Sequence, residues 1–73
     1  MTSTTVRFRL NGEHAELAAG GSVADAVALL FGDEYPKGVA VSVDRCIVPR
    51  SEWAGTPIRA GSLVEVVSAA AGG

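Results

Sequence analysis

An α+β fold, in which one short helix packs across one face of a mixed sheet, is what this chain of 73 residues predicts. Three observations carry that expectation. Apolar residues recur with a period of two near both ends of the chain, one segment between them has helical spacing, and an Asn-Gly dipeptide joins the first two strand-like runs. The resulting order is strand, strand, helix, two strands, an irregular segment and a last strand. Such an order suits two layers closed around one core.

The first strand is predicted over Thr5–Leu10, with Val6, Phe8 and Leu10 on one face and Arg7 and Arg9 on the other. Asn11-Gly12 follows at once, and a type I′ turn needs positive φ at both of its central residues. The second strand then covers Glu13 to Leu17, with Ala15 and Leu17 inward and His14 and Glu16 outward. Gly20-Gly21 interrupts the pattern, and Ser22 stands at an N-cap position with Asp25 three residues on. Val23, Ala26, Val27 and Leu30 give the helix over 23–31 its apolar stripe, and Gly32 is placed to end it. Val39, Val41 and Val43 mark a third strand, and Asp44-Arg45 turns the chain into a short fourth at Cys46–Val48, which Pro49 ends. Residues 50–61 read as irregular, and Leu63–Ser68 is the last strand, expected to lie beside the first. The domain organisation is thus one domain over 1–68 and a flexible tail over 69–73.

Size and charge narrow the function classes. A domain this small has room for one core and little space for a separate catalytic pocket. Eight acidic against six basic side chains leave a formal charge of −2, the wrong sign for a surface that neutralises phosphates in nucleic acid. The single cysteine, Cys46, cannot form an internal disulfide. No basic-then-apolar segment opens the chain and no apolar run reaches ~20 residues, so a cytoplasmic location is expected, with no membrane partner.

The terminal Gly72-Gly73, after Ala69-Ala70-Ala71, supplies the candidate working group. Glycine has no Cβ, so such a tail can thread a channel too narrow for larger side chains and adopt the φ/ψ that the channel demands. Five extended residues span roughly 16 Å, enough to carry the Gly73 carboxylate into a partner's active site. Leu63 and Val67 share the face of the last strand opposite Val64 and Val66. With Phe8 they form a candidate partner surface, unless the 50–61 segment covers them. Cys46 reads as a small apolar strand residue, His14 as a solvated one and Trp53 as the plug that holds the irregular segment on the core. Arg50 and Glu52 can pair with partner charges, but exposed loop charges such as these are usually just solvated. Gly20-Gly21 lacks the context of a phosphate-binding loop, so any nucleotide must be bound by another protein. No acid, base and nucleophile cluster, and no metal-ligand spacing, points to an enzyme.

The stretches Gly38-Val39-Ala40-Val41-Ser42-Val43-Asp44, Val48-Pro49-Arg50-Ser51-Glu52-Trp53 and Ala60-Gly61-Ser62-Leu63-Val64-Glu65-Val66-Val67, followed by Gly72-Gly73, resemble the ThiS family of thiamin-biosynthesis sulfur carriers. The resemblance covers essentially the whole length. Asp44, Ser62 and Ala71 depart from the family's usual residues, the first two at turn positions where they meet similar backbone demands. It implies a ubiquitin-like β-grasp fold and a relay on the terminal carboxylate. A ThiF-type adenylating enzyme would use ATP to join Gly73 to AMP. A sulfur donor such as a cysteine desulfurase would leave a thiocarboxylate there, and thiazole synthase would accept the sulfur. On this reading the chain binds no cofactor and is a co-substrate, not a catalyst. A carrier for molybdopterin or cysteine synthesis is the alternative, although the proline pair usual before the glycines of the molybdopterin carrier is absent. A β-grasp interaction module or protein modifier is the other alternative.

Overall fold

The computed structural model describes residues 4–68. Its elements are β1 (Thr5–Leu10), β2 (Glu13–Ala18), α1 (Val23–Phe31), β3 (Val39–Val43), β4 (Cys46–Val48), a 3-10 turn at Arg50–Glu52 and β5 (Leu63–Ser68). The strands make one sheet in the order β2-β1-β5-β3-β4. β1 and β5 run parallel and the other neighbouring pairs are antiparallel. The last strand therefore lies beside the first, at the centre of the sheet, where it gains neighbours on both sides.

Both hairpins turn on paired residues in the left-handed region. Asn11 and Gly12 have φ of 52° and 83°, and Asp44 and Arg45 have 49° and 71°. This is the twist that matches two tightly joined antiparallel strands. The helix is bounded as its sequence requires. Asp25 N donates to Ser22 Oγ at 3.4 Å and Ser22 N donates to Asp25 Oδ2 at 2.8 Å, a reciprocal capping box. At the other end Gly32, at φ 72°, donates to the Ala28 carbonyl at 2.8 Å. A helix of nine residues is marginal alone, and packing holds it.

The core joins Val23, Ala24, Ala26 and Val27 of the helix to Phe8, Leu10, Val41, Val64 and Val66 of the sheet, with Trp53 and Ile58. Leu30 departs from the predicted stripe and is 45% exposed, whereas Ala24 is buried. The cause is the segment after the 3-10 turn. It covers the first turn of α1, where Val23 N donates to Thr56 O at 2.9 Å and Ala24 N donates to Trp53 O at 3.3 Å. Those carbonyls also satisfy amides that a helix start leaves without intrahelical partners.

Residues 50–61 are thus less irregular than expected. Ile58 N donates to Gly21 O at 2.9 Å, and Ser22 and Pro57 form an isolated bridge. Trp53 is 1% exposed and its indole Nε1 donates to Val48 O at 2.9 Å, so its polar edge is paired while its rings fill the core. Cys46, read as a small apolar strand residue, lies on a strand but is exposed, because β4 is an edge strand of the sheet. Among the described residues, no helix is long and apolar enough to cross a membrane.

Candidate functional site

The helix covers one face of the sheet and leaves the other open, and strand register decides which residues stand on the open side. Arg9 is the Cα partner of Leu63 and Leu10 that of Val64 across the β1–β5 pair. Leu63 therefore shares a face with Arg9, and Val64 shares one with Leu10. Phe8 is in phase with Leu10 and 2% exposed in the core, so it is not part of a partner surface. Its proposed place on that surface is corrected by the two-residue period of β1 itself. Leu63 and Val67 are 45% and 65% exposed and are left uncovered by the 50–61 segment.

The open face contains one residue that the sequence reading passed over. Ile47, the partner of Ser42 across β3–β4, is 73% exposed. Its signal was present in the alternation Cys46, Ile47, Val48, which sets Ile47 opposite its neighbours. Ala40, Ser42, Ile47, Glu65 and Val67 border a shallow groove of about 380 Å³ on this face. Ser42 Oγ and Glu65 Oε1 are 3.4 Å apart across the groove. A grouping of exposed apolar side chains with polar residues between them is what a protein-docking surface requires.

β5 connects this face to the terminal segment. Its last residue, Ser68, pairs with Val39, and the strand is held on both edges. Two turn side chains add to that hold. Asn11 Oδ1 accepts from Val66 N at 2.8 Å, and Asp44 Oδ1 accepts from Leu63 N at 2.9 Å. The root of the terminal segment is thereby the end of the central strand of the sheet. Gly72 and Gly73, like the predicted tail over 69–73, lie outside the described residues.

Among the remaining candidates, Arg50 and Trp53 have structural roles. Arg50 donates to the Tyr35 and Pro36 carbonyls, and its guanidinium lies 5.6 Å and 5.5 Å from the Tyr35 and Trp53 ring centres. Tyr35 and Trp53 are themselves stacked, 5.9 Å between centroids. Arg50 thus ties the loop after the helix to the 3-10 turn, which explains an Arg two residues after Val48 better than a free loop charge does. His14 is exposed on β2.

Comparison with known proteins agrees with this architecture. The ThiS family model matches residues 8–73. No curated protein matches the chain in sequence. A similar solved structure is that of the thiamine biosynthesis protein ThiS from Geobacter metallireducens. It is 17% identical, with 86% of this chain and 93% of that one covered and a TM-score of 0.70. At that identity the likeness is one of fold, the ubiquitin-like β-grasp form of the α+β class.

Proposed function

The chain belongs to the ThiS family, and from that premise we propose that it carries sulfur for formation of the thiamin thiazole, with the Gly73 carboxylate as the carrying group. The observation that supports this reading most is the coupling of two features. A family match runs to the last residue, Gly73, and a firmly held central strand leads into that terminal segment. The strand fixes where the tail starts, and the tail's small residues decide where it can go.

A free carboxylate resists attack by a sulfur nucleophile, because its charge is delocalised over two oxygens. A ThiF-type enzyme binds ATP, the Gly73 carboxylate attacks its α-phosphorus, and pyrophosphate leaves. The acyl adenylate now has AMP as a good leaving group. A persulfide sulfur, supplied by a cysteine desulfurase, attacks the Gly73 carbonyl and expels AMP. A second thiol then takes the donor's sulfur into a disulfide and leaves a thiocarboxylate on Gly73. Thiazole synthase receives that sulfur. This chain supplies the reactive end and the surface that orients it, and its partners supply the catalysis. It binds no cofactor of its own, and ATP belongs to the adenylating partner.

Leu63 and Val67, with Ile47, form the surface on which these partners dock, and the exposure of all three on the uncovered face supports that role. The test is a variant with one residue added after Gly73. Loss of all sulfur transfer in a reconstituted thiazole-forming system, with an unchanged fold, is the expected result. Full activity of the extended chain would exclude the terminal carboxylate as carrier and favour an interaction module acting through its surface.

A further inference from the structure

A second cleft, of about 220 Å³, opens on the same face at the far end of β5 from Ser68 and is lined by Arg9, Gly12, Arg45, Leu63, Val64 and Glu65. The two arginines reach it from opposite sides. Arg9 is the cross-strand partner of Leu63, and Arg45 follows Asp44, whose backbone N donates to Leu63 O at 2.8 Å while its Oδ1 accepts from Leu63 N at 2.9 Å. Asn11 pins the other turn to β5 through Val66 N. Leu63 therefore sits between two turns, each fastened to its strand, and each side contributes one guanidinium.

Neither cation is neutralised among the described residues. Arg7 shows the contrast, since its Nε lies 2.9 Å from Glu16 Oε2. Arg9 instead donates one Nη1 bond to the Gly12 carbonyl at 3.2 Å, leaving most of its five N–H donors free. Arg45 occupies a turn position at φ 71° where glycine is the easier residue, which places a long cationic side chain at some backbone cost. Glu65 is the one carboxylate lining the cleft, and its bond to Ser42 Oγ draws it toward β3.

We propose that Arg9 and Arg45 form a carboxylate-receiving site that selects an acidic loop on the protein docking over Leu63 and fixes the orientation of that docking. This rests on the carrier reading above and adds the chemistry of its partner. A guanidinium fork matches a carboxylate in two parallel hydrogen bonds. The exposed side chain of Leu63 suits the methylenes of a glutamate or aspartate side chain, whereas Glu65 disfavours a doubly charged phosphate more than a singly charged carboxylate. In a chain of net negative charge, a basic point on the docking face also orients an acidic partner before contact.

The test is titration calorimetry of the intact chain against its organism's ThiF-type enzyme at low (about 50 mM) and high (about 300 mM) salt. The chains compared are the natural one, R9Q/R45G, and K37Q as a cation removed from the loop at the opposite end. The site predicts that R9Q/R45G binds about tenfold or more weakly at low salt and loses most of the salt dependence, while K37Q keeps the natural affinity. Native binding that is unchanged in R9Q/R45G would overturn this site and leave the carrier reading intact. Failure of the natural chain to bind would overturn both. A parallel titration with inorganic phosphate, followed by amide shifts of Arg9, Leu63 and Arg45, should leave them unmoved. Saturable shifts there would mean that the cleft takes a free anion and would also overturn the proposal.

Discussion

Replacing Asn11 by alanine should destabilise the domain by about 2–4 kcal/mol, more than a turn residue on the surface normally commands. Two effects combine. Asn11 has φ 52°, which asparagine tolerates far better than alanine, worth about 1 kcal/mol. Its Oδ1 also accepts the Val66 amide at 2.8 Å, in the one stretch where β5 has run past the end of β1 and has no backbone partner on that side. Removing the acceptor leaves a largely buried N–H without a partner, which costs about 1–3 kcal/mol. A domain of this length has only roughly 4–11 kcal/mol in total. The loss is therefore large enough to measure by urea denaturation, with the buried Trp53 as the fluorescent reporter. Two companions separate the terms. Asn11→Gly removes the backbone penalty but not the unpaired amide, so it should recover only part of the loss. Asn11→Asp keeps an acceptor and should lie within about 1 kcal/mol of the natural chain. The reasoning is refuted if Asn11→Ala unfolds within about 0.5 kcal/mol of the natural chain, or if Gly and Asp behave alike.

Three further outcomes follow from other contacts. Gly21→Ala would set a Cβ 3.0 Å from the Ala18 carbonyl and 3.2 Å from Leu17, and should cost about 1–3 kcal/mol in the same unfolding assay. Ser22→Ala removes one half of the capping box and should cost about 1 kcal/mol, with helical circular dichroism lost first on heating. Val67→Asp changes a 65% exposed side chain and should leave stability within about 0.5 kcal/mol while weakening adenylation of Gly73 by raising KM. An unchanged KM would remove Val67 from the docking surface.

The fold was legible because its local signals agree with one another. Asn11-Gly12, the Ser22 and Asp25 pair, Gly32 and the valines of β3 each constrain a few residues, and each specifies the same element that the structure contains. What could not be read were effects of partners distant in sequence. Leu30 has the correct helical phase, but the 53–58 segment gathers burial at the start of the helix. Ile58 belongs to the core because Gly21 holds its backbone, which no periodicity in a loop reveals. Cys46 was assigned from the average habit of cysteine, and the edge position of β4 overrides that habit.

The candidate site divides in the same way. Leu63 and Val67 were separable from Val64 and Val66 by period alone, and Ile47 was available by the same argument. Phe8 was separable from them in the same way, since the period of β1 sets it with Leu10 in the core, and the β1–β5 register sets Arg9 beside Leu63. The links from Asn11 and Asp44 to β5 join residues 55 and 19 positions apart, so they become visible only once the strands are paired.

The most direct test of the carrier role is intact-mass spectrometry of the chain after incubation with ATP, its ThiF-type enzyme and a sulfur source, with a Gly73-deleted variant alongside. The account predicts a mass gain equal to one oxygen replaced by one sulfur, present with Gly73 and absent without it. Neither an adenylate nor a thiocarboxylate, under conditions that modify a known carrier, would contradict it.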